Sequence, residues 1–166
     1  MADHDHDLVR AERDLYRRLL DLGDHDDLAA FLDEALALVV EATGALRGYL
    51  SLDPARDGQS VFTLAQGFDE ADLAQVRREL SQGILAEALR TGRTVSTASA
   101  FDDPRFRAMA SVQANRILAV LCAPIGGRAP LGALYLQGRA APGPFPERER
   151  QLVEAFTTRV APLGHR

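Results

Sequence analysis

Two long apolar segments near the middle of the chain are separated by a short polar turn. The first segment, ILAVLCAPI, spans residues 117–125, and the second, LGALYLQ, spans residues 131–137. Segments of this length that are rich in Ile, Val, Leu and Tyr and bounded by Gly and Pro are typical of strands, and a turn that contains Gly-Gly predicts a hairpin. Neither segment alternates between apolar and polar positions, so we expect both faces of this sheet to be covered.

Three other segments repeat their apolar residues with helical spacing. Residues 28–43 carry one broad apolar face and stop before Gly44, and residues 147–160 carry another that begins after Pro146. The N-terminal segment, residues 8–22, has a narrower stripe, typical of a helix that pairs with another helix. We therefore expect a dimer interface there, and the alternative is that this helix packs on its own sheet. The residues of the stripe are Leu8, Leu15, Leu19 and Leu22.

The remaining elements alternate between strands and helices. Residues 45–52 and 60–66 predict a first hairpin, residues 81–90 a helix that stops at Gly92, and residues 93–98 a short strand. Residues 99–116 follow without a clear period, and Pro104 excludes a continuous helix there. A long loop inside a compact domain is usually functional or mobile. This order of elements predicts one α+β domain.

Composition narrows the class of protein. A length of 166 residues fits a single domain, which we divide into an N-terminal dimerisation helix (residues 1–23) and a core (residues 24–160). The net charge of −5 argues against direct binding of nucleic acid. No apolar run reaches the roughly 18 residues that span a bilayer, and the N-terminus does not resemble a signal peptide, so we expect a cytoplasmic protein that does not contact membranes.

Five sequence features occur in an order and spacing that resemble a GAF domain. They are ATGALRGYLSL, LAEALRTGRTV, AFDDPRF, the hairpin ILAVLCAPI…LGALYLQGR, and PGPFPERERQLVEAF. GAF domains are small-molecule-sensing modules of phytochromes, cyclic-nucleotide phosphodiesterases, histidine kinases and transcription activators. The resemblance covers residues 24–160 and is strongest to the modules of sigma-54-type enhancer-binding activators and bacterial sensor kinases.

The resemblance implies an α/β/α sandwich around an antiparallel sheet of five or six strands. The terminal helices would pack on one face, often as a dimeric bundle, which adds Leu152 and Phe156 to the predicted dimer interface. An effector pocket would lie on the other face, under residues 99–116. We therefore expect a non-catalytic sensor domain of a bacterial signalling or transcription-regulating protein, in which an effector acts through the terminal helices on an output domain. The alternative is a ligand-free dimerisation module whose pocket is filled by its own side chains.

The predicted pocket is lined by strand and loop residues. Arg105 or Arg116 could bind a carboxylate or a phosphate, because a guanidinium offers two parallel donors. Each aromatic side chain could instead be ordinary core. The candidate ligand-binding residues are Tyr49, Ser51, Phe62, Leu64, Phe101, Asp102, Arg105, Phe106, Met109, Arg116, Val120 and Tyr135.

We expect no cofactor. Cyclic-nucleotide-binding GAF modules carry an Asn-Lys pair, whereas all 19 cationic residues here are arginine. Attachment of a bilin needs an accessible cysteine, but the single cysteine, Cys122, lies in the middle of an apolar strand, where a cysteine is usually inert core. The histidines lie near helix ends or termini, so no axial ligand for haem falls in the pocket region.

Two further possibilities concern iron and catalysis. A non-haem iron, as in nitric-oxide-sensing activators, could use carboxylates from residues 69–72 or 102–103, namely Asp69, Glu70, Asp72, Asp102 and Asp103. The alternative is that Asp102 and Asp103 cap turns or pair with Arg105 and Arg107. A GAF-fold reductase of free methionine-R-sulfoxide uses several cysteines, and one cysteine cannot complete its disulfide cycle. We therefore expect no metal and no enzymatic activity.

Overall fold

The structure is a computed structural model. It describes residues 6, 9–10, 13–14, 17, 28–52, 62–69, 83–108, 119–126, 130–139 and 143–161, except for the side chains of Leu28, Ala29 and Phe62. Three helices and five strands fall within these ranges, in an order that agrees with the predicted one. They are α1 (Leu28–Thr43), β1 (Ala45–Leu52), β2 (Phe62–Gln66), α2 (Ile84–Thr91), β3 (Val95–Thr97), β4 (Val120–Ile125), β5 (Gly132–Arg139) and α3 (Glu147–Val160).

The five described strands form one antiparallel sheet with the order β2-β1-β5-β4-β3. The predicted central hairpin is confirmed, because β4 pairs with β5 from Val120 opposite Gln137 to Ile125 opposite Gly132. The predicted first hairpin is also present, with β1 paired to β2. β5 lies between β1 and β4 and therefore occupies the middle of the sheet.

The helix ends agree with the predicted stop signals. α1 ends at Thr43, whose hydroxyl donates to the carbonyl oxygen of Val39 at 2.8 Å. α2 ends at Thr91 and is capped by Gly92, which has a φ of +67° and donates its N–H to the carbonyl oxygen of Ala88 at 2.9 Å. A left-handed residue of this kind closes a helix by satisfying one of its last carbonyl groups, and glycine adopts that conformation without a Cβ penalty.

Each face of the sheet packs against helices, as predicted from the lack of alternation. One face, here called the terminal-helix face, packs against α1 and α3 and contributes alternate strand residues such as Leu50, Leu121 and Leu134. The other face, here called the α2 face, packs against α2 and contributes the residues in between, such as Tyr49 and Tyr135. The predicted α/β/α sandwich is therefore confirmed.

The prediction that Leu152 and Phe156 form a dimer interface is wrong. Both side chains belong to the core of the terminal-helix face, with exposed fractions of 4% and 0%. The apolar stripe of α3 is buried against the chain's own sheet, so it is not available to a second copy.

The other residues of the predicted interface, Leu8, Leu15, Leu19 and Leu22, lie outside the described part of the chain. Positions 6, 9–10, 13–14 and 17, which are described, have helical backbone. Dimerisation through the N-terminal stripe stays a prediction. No helix in the described ranges combines the length and the apolar character that crossing a membrane requires.

Candidate functional site

The α2 face is the wall against which the pocket is predicted to lie. Its strand residues come from β1, β3, β4 and β5, and their side chains are almost fully buried under α2. Phe106 of the loop that follows β3 packs into the same cluster, and Phe101 lies partly buried against it. The wall is therefore apolar over most of its area, as is usual in sites for small molecules. Its strand members are Tyr49, Val95, Val120, Cys122, Ala133 and Tyr135.

One end of this wall is polar. The Tyr135 hydroxyl donates to Oε1 of Gln137 at 2.9 Å, two residues further along β5. Gln137 is paired across the sheet with Arg47 of β1. The Arg47 guanidinium carbon lies 5.4 Å from the centre of the Phe68 ring, a distance suited to a cation–π contact. These four residues, Arg47, Phe68, Tyr135 and Gln137, are called the polar end below.

Electrostatics keep the Tyr135 phenol protonated. Burial raises the pKa of the phenol, a nearby thiol at Cys122 raises it further, and Arg47 opposes both effects. Because the phenol stays neutral at physiological pH, it acts as a donor and orients the Gln137 amide. The polar end thus presents a fixed amide and a guanidinium at the edge of an apolar wall.

The loop after β3 is held by an ion pair rather than open for a ligand. Nε and Nη2 of Arg105 donate to the two carboxylate oxygens of Asp103 at 3.1 and 2.9 Å. These hydrogen bonds lower the pKa of Asp103 to about 2. Nη2 also donates to the carbonyl oxygen of Ser96 at 3.4 Å, and the guanidinium lies 4.9 Å from the Phe106 ring. The two parallel donors that we expected to bind an anion are therefore bound to Asp103.

The neighbouring Asp102 has a local structural role. Its carboxylate accepts a hydrogen bond from the Ser99 hydroxyl at 3.1 Å, and its own N–H donates to the same hydroxyl at 3.3 Å. The alternative in which these aspartates stabilise turns and pair with arginine is the one that the structure supports. No three His, Cys, Asp or Glu side chains cluster as metal ligands within the described ranges, and Glu70 and Asp72 lie outside them.

Most of the described site residues from the prediction lie on or near the α2 face, whereas Leu64 lies on the other face. Ser51 pairs with Ala133 of the α2 face. Leu64 does not belong to the α2 face: its backbone pairs with Leu50, and its side chain packs on the terminal-helix face, so its predicted place in the pocket is wrong. Met109, Arg116 and the side chain of Phe62 lie outside the described part of the chain. Tyr49, Phe101, Phe106, Val120 and Tyr135 all belong to the α2 face or pack against it.

Three residues of the polar end were missed from the sequence. Arg47 and Gln137 each lie two positions from a predicted site residue, Tyr49 and Tyr135, so alternation along β1 and β5 would have placed them on the same face. Phe68 follows the end of β2, where no periodicity applies. Residues 70–82 and 109–118 lie outside the described ranges.

An antiparallel sheet covered by terminal helices on one face and by a helix and loops on the other defines an architecture used by regulatory and sensory domains of signalling proteins. The model of the GAF domain family matches residues 27–162. The chain therefore belongs to the GAF domain family. No curated protein sequence matches it.

Solved structures agree with this assignment of the fold. The GAF domain of a phosphoenolpyruvate-protein phosphotransferase from Coxiella burnetii superposes with a TM-score of 0.73 at 16% identity, covering 95% of this chain and 92% of that one. The corresponding GAF domain from Acinetobacter gives 0.67 at 17% identity over 90% and 89%. Free methionine-R-sulfoxide reductase from Neisseria meningitidis, solved with its substrate, gives 0.64 at 16% identity over 91% and 87%. At these identities the likeness establishes the fold alone.

Proposed function

We propose that this GAF domain is a non-catalytic sensor that binds a small organic effector against the α2 face. The observation that carries the proposal is the polar end, where the Tyr135–Gln137 hydrogen bond and Arg47 interrupt an otherwise apolar wall. A few fixed polar groups on an apolar wall are the usual composition of a small-molecule site. Effector binding would act through the terminal helices on an output domain of a bacterial signalling or transcription-regulating protein.

The polar end favours one class of effector. The Arg47 guanidinium supplies positive charge, and the Gln137 amide supplies donors once its oxygen is occupied by the phenol. An effector with an apolar body and a carboxylate or another strong acceptor at one end would match both groups.

The single cysteine supports a binding role rather than sulfoxide reduction. Cys122 is completely buried on β4, and burial raises its thiol pKa to about 12. A thiol that is neither exposed nor ionised is a poor nucleophile. The chain has no second cysteine to form the disulfide that would complete the cycle.

The test combines native mass spectrometry of freshly purified protein with thermal-shift screening of organic acids, amino acids and nucleotides. Gln137→Glu, which puts a negative charge beside the proposed position of the anion, should weaken binding of a stabilising acid by about tenfold or more. The matched control Gln151→Glu, at an exposed position on α3, should bind like the wild type. A compound that binds Gln137→Glu as tightly as the wild type would refute this site. Protein without extra mass that no compound stabilises would favour the ligand-free module.

A further inference from the structure

A concave surface includes Pro124 near the end of β4, whereas Gln137 of the polar end pairs with Val120 at the start of that strand. It is an open groove of about 830 Å³ between α3, the connection from α2 to β3, and the end of β4. Its volume falls within the range of about 300–1,000 Å³ that is typical of small-molecule sites. None of its lining residues belongs to the core cluster of the α2 face. Below it is called the α3 groove, and the residues that matter for its chemistry are Arg93, Thr94, Pro124, Arg150, Glu154 and Thr158.

Glu154 organises the polar lining of this groove. Its Oε1 accepts a hydrogen bond from the Thr94 hydroxyl at 2.9 Å and another from Nε of Arg150 at 3.0 Å. The first bond joins α3 to the residue that precedes β3, and the second joins two residues one turn apart on α3. Because both donors meet at one oxygen, the Arg150 side chain is held in place before any ligand arrives, which lowers the entropy cost of binding.

Arg150 keeps most of its donors for another partner. The bond to Glu154 uses Nε, and a guanidinium carries four further N–H donors on its two Nη atoms. Arg93, exposed on the opposite wall, adds a second guanidinium. Against these two positive charges the groove lining holds one carboxylate, so the lining has a net positive charge within a protein whose overall charge is −5.

We propose that the α3 groove is a second ligand site, which takes a small organic molecule bearing a phosphate or carboxylate group. The anionic group lies between Arg93 and Arg150, where charge-assisted hydrogen bonds from two guanidinium groups are available. The Thr158 hydroxyl adds a polar contact at the rim, and Pro124 supplies an apolar surface for the body of the ligand. This site is independent of the effector site proposed on the α2 face.

A ligand in this position would reinforce an existing connection. Thr94 follows the helix that covers the α2 face, and Glu154 belongs to the C-terminal helix, so their hydrogen bond links the two sides of the sandwich. An anion bound to Arg93 and Arg150 adds a second bridge between the same two segments. The groove is thus placed to change how firmly α3 is held to the rest of the domain.

The experiment is isothermal titration calorimetry of the full chain at low ionic strength, with AMP, succinate and adenosine as separate probes. AMP tests a phosphate, succinate tests a carboxylate, and adenosine has neither. We expect saturable binding of AMP, succinate or both, and none of adenosine. Arg93→Gln and Arg150→Gln should each weaken that binding by about tenfold or more. The matched control is Arg90→Gln, because Arg90 is exposed, is paired with Glu87 at 2.8 Å, and does not line the groove.

Each outcome supports or overturns the proposal. Binding of AMP alone assigns the site to phosphates, and binding of succinate alone assigns it to carboxylates. Binding of adenosine as tight as that of AMP overturns the proposal, as does the absence of saturable binding by both anions. Equal losses in Arg90→Gln and Arg150→Gln also overturn it, because they would indicate unspecific attraction to positive charge. Gln137→Glu should leave binding in the groove unchanged, which separates this site from the proposed effector site.

Discussion

The contact between β1 and α1 at Gly48 allows a quantitative test of the packing on the terminal-helix face. A Cβ atom added at Gly48 would lie 2.5 Å from Cγ2 of Val40, 3.2 Å from Cδ1 of Leu36 and 3.4 Å from Cδ2 of Leu136. Carbon atoms in van der Waals contact lie about 3.5–4.0 Å apart. Gly48→Ala therefore requires Val40 to move, and a valine in a helix has one strongly preferred χ1 rotamer, so this movement strains the side chain or shifts α1.

The size of the effect follows from two opposing contributions. Overpacking of a core costs about 1–3 kcal/mol, whereas replacing glycine by alanine stabilises by about 0.4–1 kcal/mol because the unfolded chain loses conformational freedom. The 2.5 Å contact with Val40 is severe, so we expect an overpacking cost in the upper part of the range of about 1–3 kcal/mol. We expect a net loss of about 1–2 kcal/mol in the free energy of unfolding, and for a chain of this size a fall in Tm of about 2–8 °C.

A double-mutant cycle with Val40→Ala isolates the clash. Removing the half-buried Val40 methyl groups should cost about 1 kcal/mol by itself, but it also removes the atom closest to the new Cβ. In urea unfolding, the double variant should be more stable than the sum of the single effects predicts, by about 1 kcal/mol, with unchanged m-values. Additivity to within about 0.5 kcal/mol would show that Val40 is not the obstacle.

Two further predictions concern titratable groups. Because hydrogen bonds from Arg105 lower the pKa of Asp103 to about 2 from 3.8, the stability that the pair contributes is complete above pH 3.8 and is lost as the pH falls through 2. Asp103→Asn should accordingly lower Tm at neutral pH, and the Tm curves of wild type and variant should converge toward pH 2; parallel curves would contradict the prediction. Burial raises the pKa of Cys122 to about 12, so a disulfide reagent at mildly alkaline pH should label one thiol per chain only after denaturation, and rapid labelling of the native protein would contradict this packing.

The sequence was most informative where periodicity met a clear stop signal. The bounds of α1, β1 and α3 agree with the predicted ones, because a sustained pattern was bounded by Gly44 or Pro146. One edge strand was shorter than predicted: β3 covers only Val95–Thr97, since polar residues at the end of an edge strand follow the turn as readily as the sheet. Residues 60–61, which begin the predicted second strand, lie outside the described part of the chain.

The errors at the site have a different origin. Apolar periodicity along α3 shows that Phe156 packs against an apolar surface. The same periodicity would occur whether that surface is the chain's own sheet or a second copy of the chain. Leu64 was placed on the wrong face because a strand covered on both sides does not reveal which side points where. The pairing of Leu64 with Leu50 determines which face the Leu64 side chain points to. Strand pairing cannot be read from the sequence of one strand alone. Arg105 was correctly recognised as able to form a fork, but its partner proved to be Asp103, two residues earlier.

The order of strands in the sheet limits how early the sheet can form while the chain is being synthesised. β1 is complete at Leu52, yet its neighbour toward the middle of the sheet, β5, begins only at Gly132. Until β5 leaves the ribosome, β1 can pair only with β2, and its other edge keeps unpaired N–H and C=O groups, which are prone to pairing with other chains. Contacts between segments so far apart also form slowly, because the intervening chain must first be ordered. The nascent domain therefore carries an open strand edge through about half of its synthesis, and the central pair of its sheet is among the last to close.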